Sequence, residues 1–366
     1  MTNYEYNEKQ KQIYRDFLLE TFLPLLESDS TKVLEYEQGW YNSANPINAF
    51  TKREYENINS LILYLTMQKL NSEDPRFCTF EQAKKNNCYV KKGEHAAAKI
   101  MTKVFPYYDL EKDPEQKKIL FTTYNHLRSM IAKNGKKLYT FFDEGFKSDH
   151  PRANPSVKIL YLYHASQIEG LEKYIPQENN KTEIELHSFV DFAAKGMGIE
   201  IFHDGRNSAF YRPEDDTIHL PKEKQFKTEN EYNVTVLHEI THATGVQKRL
   251  NRESLAKYSE SLQFRAKEEL VAELGAVLVR KAANIKTDTV IDLNNHLAYL
   301  QSWKSVLTDP NDKGKTIEEC FNNASKASKY ICDKEREYEK LVVSEINKTQ
   351  IKEKEQEGRW VILSQK

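Results

Sequence analysis

His238-Glu239-Ile240-Thr241-His242 sets two imidazoles and a carboxylate at a spacing that suits a catalytic metal ion. On a helix, side chains four residues apart lie one above the other, so both histidines can reach one ion. The intervening glutamate then lies beside an ion-bound water. Zinc lowers the pKa of such a water from ~15.7 to about 7, and Glu239 is the group to accept its proton. This is the working core of a hydrolase. Five residues alone are a weak signal, but their surroundings support a helix. Tyr232–Thr244 carries Val234, Leu237 and Thr241 along one stripe, with Val236 and Ile240 offset, and Gly245 follows where a helix C-cap belongs.

Catalytic zinc usually takes three protein ligands and leaves one position open. Arg265–Ala283 reads as a second helix, with Leu270, Val271, Leu274, Val277 and Leu278 at helical spacing. It offers Glu268, Glu269 and Glu273. Glu269 and Glu273 share a face that continues through Ala272 and Ala276, small enough to admit a crossing helix. Glu269 is the expected ligand, Glu268 the alternative, and Glu273 the expected partner that orients a histidine. Solvated surface positions are the plainer reading of all three. A hairpin is expected over Ser208–Pro221, where Phe210, Ile218 and Leu220 alternate with polar residues around a Pro-Glu-Asp-Asp turn. Its edge could pair with an extended peptide, and Tyr211 or His219 could donate to an oxyanion, although such residues commonly just pack.

These residues together resemble the ArdC-type antirestriction proteins of conjugative plasmids and phages. The resemblance is carried by His238–Gly245, Arg249–Arg252, Glu268–Gly275, Ala209–Pro221 and Leu297–Leu307. Ala243 departs from it, standing where the family commonly has Trp. The N-terminal half continues the match through Trp40–Pro46, Tyr55–Leu65, Asp74–Ala83, Val90–Glu94 and Tyr161–Gly170. The resemblance implies an α+β protein of two domains. An α+β domain over about 1–172 binds single-stranded DNA and holds a family-atypical insertion around 109–155. A zincin-like HExxH metallopeptidase domain spans about 182–333, and a charged tail follows over 334–366. It also implies a glutamate of the second helix as third ligand, zinc as the ion with manganese as the alternative, and a protein substrate it does not identify. The implied task is antirestriction, the protection of mobile DNA that enters a cell as a single strand. A DNA-binding protein that shields the strand without catalysis, its metal structural, is the other reading. A metal-dependent nuclease fits less well, because one HExxH site with one nearby Glu suits a single ion and not a two-metal clamp.

The residues of the N-terminal half point the same way more weakly. Lys84, Lys85, Lys91, Lys92, Lys99 and Lys103 are opposed only by Glu94 and interleaved with Phe77, Phe80 and Tyr89. Backbone charge plus stacking faces is how single strands are held without sequence preference. Trp40 and Tyr41, beside Asn42 and Asn45, form a second candidate platform. A solvated lysine face over core aromatics is the alternative.

Composition bounds the rest. The 366 residues suit two domains, and the net charge of −1 confines any nucleic-acid binding to local patches. Cys78, Cys88, Cys320 and Cys332 lack zinc-knuckle spacing and read as reduced thiols. The polar N-terminus lacks a signal-peptide core, and no apolar stretch approaches the ~18 residues of a membrane span, so a cytoplasmic protein is expected. Helices are expected over 5–27, 55–70, 114–133 and 183–197, and strands near 88–91, 98–105 and 157–164, with a polar interdomain stretch at 175–181. The Lys/Glu-rich tail from Asp333 reads as a solvated helix or frayed extension.

Overall fold

The computed structural model describes residues 3–26, 44–115, 117–134, 138–140, 155–175, 186–284 and 313–363. They fall into two compact units. The first draws on Met1–Leu25, Ser43–Tyr55 and Asn59–Gln177, the second chiefly on Glu178–Lys366. Among the described residues no helix is long and apolar enough to cross a membrane. All four cysteines are buried free thiols.

In the first unit, helix α1 (Asn3–Leu26) buries Tyr14, Phe17, Leu18 and Phe22, spaced three and four apart. Strand β1 (Ile47–Asn48), helix α2 (Asn57–Lys69), strand β2 (Arg76–Thr79), the short helix α3 (Phe80–Lys85) and strand β3 (Tyr89–Val90) follow. Thr79 caps α3 and Gln82 answers it in a capping box, which starts the helix directly off the strand. The long strand β4 (Ala98–Asp109) is followed by β5 (Leu120–Thr123), α4 (Tyr124–Asn134), β6 (Leu138–Thr140), β7 (Ser156–His164) and β8 (Ile168–Glu169). The main sheet runs β1-β2-β7-β4-β5, with β6 also on β4, and β3 pairs with β8. The helix expected over 114–133 is a correction: Leu120–Thr123 pair with Val104–Tyr107 as a strand, and only then does the chain turn helical. Pairing with a neighbour already extended outweighs local helical spacing in a segment as aromatic and β-branched as Leu-Phe-Thr-Thr.

The second unit opens with α5 (Leu186–Met197), β9 (Glu200–His203), β10 (Phe210–Arg212) and β11 (Thr217–Leu220). The hairpin β10–β11 is present in antiparallel register Tyr211↔Ile218, and β9 lies parallel on the other side of β11, which leaves β10 at the sheet edge. Helices α6 (Glu229–Ala243), α7 (Glu253–Ala256), α8 (Leu262–Ala282) and α9 (Lys313–Leu363) complete it. Thr228 caps α6, and Val236, Leu237, Ile240 and Ala243 turn into a core shared with α5, β11 and α8. That burial, at roughly 25 cal/mol per Å² of apolar surface, fixes which face of α6 is left for chemistry.

Helix α9 spans the boundary expected for the tail. It runs unbroken through 333, so the segment set apart as a tail at 334 begins in mid-helix. Ile317, Phe321, Ala324, Ala327 and Ile331 face inward, Glu335 is still buried, and the Phe192 and Tyr338 rings meet at 5.5 Å. A Cβ on Gly196 would lie 2.3 Å from the Lys334 carbonyl oxygen, so α5 and α9 touch backbone to backbone there. The Lys/Glu-rich composition hid this contact because the inward residues beyond 333, Glu335 and Tyr338, are not aliphatic.

The crossing of α6 and α8 is equally tight. A Cβ on Gly275 would sit 2.5 Å from the Thr241 Cγ2 methyl. Gly275→Ala is therefore expected to cost about 1–3 kcal/mol in urea unfolding, an overpacking penalty. Adding Thr241→Ser, which removes that methyl and keeps the hydroxyl, should recover most of the loss; a double variant no better than the single one would show that the crossing is not set there.

Candidate metal centre

Because α6 packs its apolar side into the core, His238 and His242 lie together on the side that faces α8. Both are buried, with ring centroids 4.8 Å apart and planes at 78°. Three glutamates descend on them from α8. Glu273 Oε2 lies 3.2 Å from His238 Nδ1, and Glu268 Oε1 lies 3.2 Å from His242 Nδ1. A carboxylate accepts, so both Nδ1 atoms carry a hydrogen, and each Nε2 presents a lone pair once any second proton has left. Those two Nε2 atoms face each other at 3.1 Å, and Glu269 Oε2 completes a triangle at 3.4 Å from one and 3.7 Å from the other. Three lone pairs converging this closely repel one another unless a cation lies among them. Tetrahedral zinc with bonds of 2.0–2.1 Å spaces its ligand atoms about 3.4 Å apart, so the donor set fits such an ion. Among the described residues, His238, His242 and Glu269 are the cluster with metal-ligand geometry.

Charge around the triangle is arranged just as specifically. Burial pushes the Glu268 carboxyl up, but the Arg252 guanidinium and His242 outweigh it and hold the group down at about 2. Burial likewise opposes ionisation of Glu269, yet the two histidines drive it well below the usual carboxylate range. Burial depresses His238 and His242, but the carboxylates win: Glu269 and Glu273 raise His238, and Glu268 and Glu269 raise His242 to about 9.

The sequence-derived candidates divide cleanly. Glu269 faces both histidines, and Glu273 backs His238. Glu268, the alternative ligand, is fully buried with its oxygens committed: Arg252 Nε donates at 3.0 Å and Ser254 Oγ at 2.6 Å, besides His242. Arg252 also donates from Nη2 to the carbonyls of Thr241 and His242, at 2.9 and 3.2 Å. Gly245 makes room for it, since a Cβ there would lie 2.7 Å from Arg252 Nη2. Arg252, Ser254 and Tyr258, whose hydroxyl donates to Glu269 Oε1, are site residues that sequence reasoning missed. Arg252 and Ser254 lie in a loop and a one-turn helix without periodicity, and only the fold brings all three to α8.

Both oxyanion candidates hold hydrogen bonds away from the histidines. Tyr211 donates its hydrogen to Asp216 Oδ1 at 2.6 Å, and Arg249 clamps both oxygens of the same carboxylate at 2.6 and 2.7 Å. His219 is sandwiched between Phe202 and Phe210 and spends its nitrogens on Asp204 and Thr217, each at 3.0 Å. Neither holds a spare donor for the site. Tyr211 and Phe210 instead help line a cleft of about 1060 Å³, together with Val246, Leu255 and Tyr258 and with His238, Glu239, His242 and Glu269.

Comparison with known proteins agrees with the two-domain fold. Residues 189–317 match a zincin-like metallopeptidase family, and residues 20–136 match the N-terminal domain of the anti-restriction factor ArdC. This chain carries an ArdC-type N-terminal domain followed by a zincin-like metallopeptidase domain. Crystal structures of the antirestriction protein ArdC from the R388 plasmid, metal-free and Mn(II)-bound, share the fold. Their TM-scores are 0.53 and 0.55 at 21% and 22% identity, over 84% of this chain and 96% of theirs. Two Escherichia coli proteins named DNA primase TraC are 29% and 27% identical over 75% and 83% of this chain. The chain spans only 23% and 19% of their lengths. The uncharacterized protein y4eC of Sinorhizobium fredii is 22% identical over 75% of this chain and 78% of its own.

In the ArdC-type domain the structure sorts the candidate strand-binding residues. Lys84 and Lys85 end α3, Lys91 and Lys92 follow β3, and all four residues are exposed. Lys91 Nζ donates to the Ser166 carbonyl at 2.7 Å. Phe80 and Tyr89 are exposed at 50% and 61%, whereas Phe77 is fully buried against His164, a core residue and not a stacking platform. Lys99 reaches over the Phe17 ring at 5.5 Å. Trp40 and Tyr41 lie outside the described residues, as does Leu297–Leu307.

The raised histidines give the zincin-like domain a defined pH response. A divalent ion must displace protons that His242 retains up to about pH 9, so its apparent affinity should climb from about pH 6.5 towards 9 and then level off. In the metal-free protein those same protons contribute stability that is present below about 6.5 and lost as pH rises through 9. Calorimetric titration with zinc across this range checks the first statement; an affinity flat in pH would contradict the carboxylate-held histidines.

Proposed function

We propose that this protein is an antirestriction protein that binds single-stranded DNA through its ArdC-type domain and hydrolyses a protein substrate at a zinc site in its zincin-like domain. The observation that carries the enzymatic half is the lone-pair triangle of His238, His242 and Glu269 opening onto a cleft with Glu239 on its surface. A structural zinc is normally closed by four protein ligands, while a catalytic one leaves a position open, and among the described residues three donors converge here. A bound divalent ion would supply Lewis acidity and lower the pKa of a water to about 7. Glu239, buried at the cleft surface, accepts the proton of the attacking water and can return it to the leaving amine. Strand β10, at the sheet edge and lining the cleft, offers its backbone to an extended peptide. A Mn(II)-bound form of the R388 protein supports a divalent ion in this chain too. Zinc is favoured by the two imidazoles and the tetrahedral spacing.

The DNA-binding half is supported by exposed lysines and aromatics on neighbouring elements, and by relatives named for work on nucleic acid. The two halves separate experimentally. Glu239→Gln should retain one ion per chain and abolish cleavage of the cognate protein together with antirestriction; antirestriction that survives this change would make the protein a non-catalytic shield. Replacing Lys84, Lys85, Lys91 and Lys92 with alanine should flatten the salt dependence of single-strand affinity by ~0.7 in log–log slope per lost phosphate contact. Tyr89→Ala should weaken binding by ~1–3 kcal/mol. Fluorescence anisotropy with a labelled oligonucleotide reads both, and unchanged slopes would place the DNA contact elsewhere.

A further inference from the structure

Glu269 uses its two oxygens differently. Oε2 faces both histidine Nε2 atoms, whereas Oε1 accepts the hydroxyl of Tyr258. Tyr258 comes from the turn between α7 and α8 and is itself held in place. The Arg265 guanidinium covers its ring at 5.2 Å, and the His242 ring meets it edge-on at 6.3 Å. A free carboxylate can bind an ion through one oxygen or two. Two-oxygen binding raises the coordination number and adds a hard ligand, which suits six-coordinate ions such as Mn(II) better than four-coordinate zinc.

We propose that Tyr258 is a positioning residue that reserves Oε1 of Glu269, fixes this glutamate as a one-oxygen ligand, and so biases the site towards four-coordinate zinc over oxygen-seeking ions. This inference rests on the metal-centre reading. It assigns a role to a side chain that lies outside the ligand set and is not needed to complete it. The tyrosine acts through Glu269 and does not touch the ion.

The test compares the full chain with Tyr258→Phe, which keeps the ring under Arg265 and beside His242 and removes only the donor. Each protein is loaded with Co(II), whose visible absorption is strong in four-coordinate sites and weak in higher-coordinate ones, and is then competed between zinc and manganese. The wild type should bind one Co(II) per chain with strong visible bands. Tyr258→Phe should also bind one, with visible intensity reduced by about half or more. Its zinc affinity should fall about tenfold, the scale of losing a group that orients a ligand, and its manganese affinity should hold or rise. A variant with the wild-type spectrum and the wild-type zinc-to-manganese ratio overturns the role of Tyr258 while leaving the metal centre intact. A wild type that binds no ion overturns the metal centre, and the role of Tyr258 with it.

Discussion

Two carboxylates on the far sides of two imidazoles are the constraint on which the metal centre depends. Glu273 at His238 Nδ1 and Glu268 at His242 Nδ1 fix both rings in the tautomer that bares Nε2. Without them, each ring could rotate or shift its hydrogen and turn the Nε2 contact at 3.1 Å into an ordinary hydrogen bond. With them, that contact is repulsive until something positive enters. The repulsion is therefore imposed from outside the ligand set, and it depends on how closely α8 approaches α6. Gly275 against Thr241 sets that approach. A larger residue at 275 would lift the glutamates off the histidines as a group, since all three stand on the same helix as the glycine.

Support continues outward in layers that depend on one another. Glu268 can hold His242 only because Arg252 and Ser254 hold Glu268, and Arg252 fits only because position 245 has no side chain. A buried Arg–Glu pair is weak evidence for stability, since desolvation consumes most of its Coulomb gain. Its value here is positional, because one guanidinium ties the end of α6, the following loop and a residue of α8 into a single geometry. The hairpin is fastened in a similar way. Asp216, held at about 2 by Arg249, Lys248 and Tyr211 against the effect of burial, links the β10–β11 turn to the loop after α6. The edge strand and the helix of the histidines are thus tied through one carboxylate.

The parts legible in the sequence are those written in short-range pattern. The i, i+4 histidines, the helices around them, and the alternation of the hairpin with its Pro-Glu-Asp-Asp turn all follow from periodicity and turn chemistry, and the structure places them accordingly. Glu269 and Glu273 could be put on one helix face by counting. Glu268 could not be told from a ligand by counting, because its assignment depends on Arg252, a long-range partner without a local signal. Tyr211 shows the same limit: alternation sets it on the hairpin, but only coordinates show its hydroxyl given to Asp216. In the ArdC-type domain, Phe77 and Phe80 are three residues apart, yet one is core and the other exposed, because β2 gives way to α3 between them. Leu120–Thr123 became a strand for a comparable reason, its partner being the preceding strand β4 and not anything within the segment itself.

Charge makes this arrangement favourable to a cation. Glu268, Glu269 and Glu273 converge on the two rings, and Arg252 donates to Glu268. Like charges this close in a poorly screened interior must be compensated, and the metal-free protein does so by taking protons onto its histidines, which is why both are shifted upward. A proton on Nε2 satisfies one lone pair. A divalent ion satisfies all three donors at once and brings twice the charge to the place where the carboxylates point. The glutamates on α8 that orient the rings therefore also set the preference for a doubly charged occupant, so orientation and ion preference are one property of a single helix face.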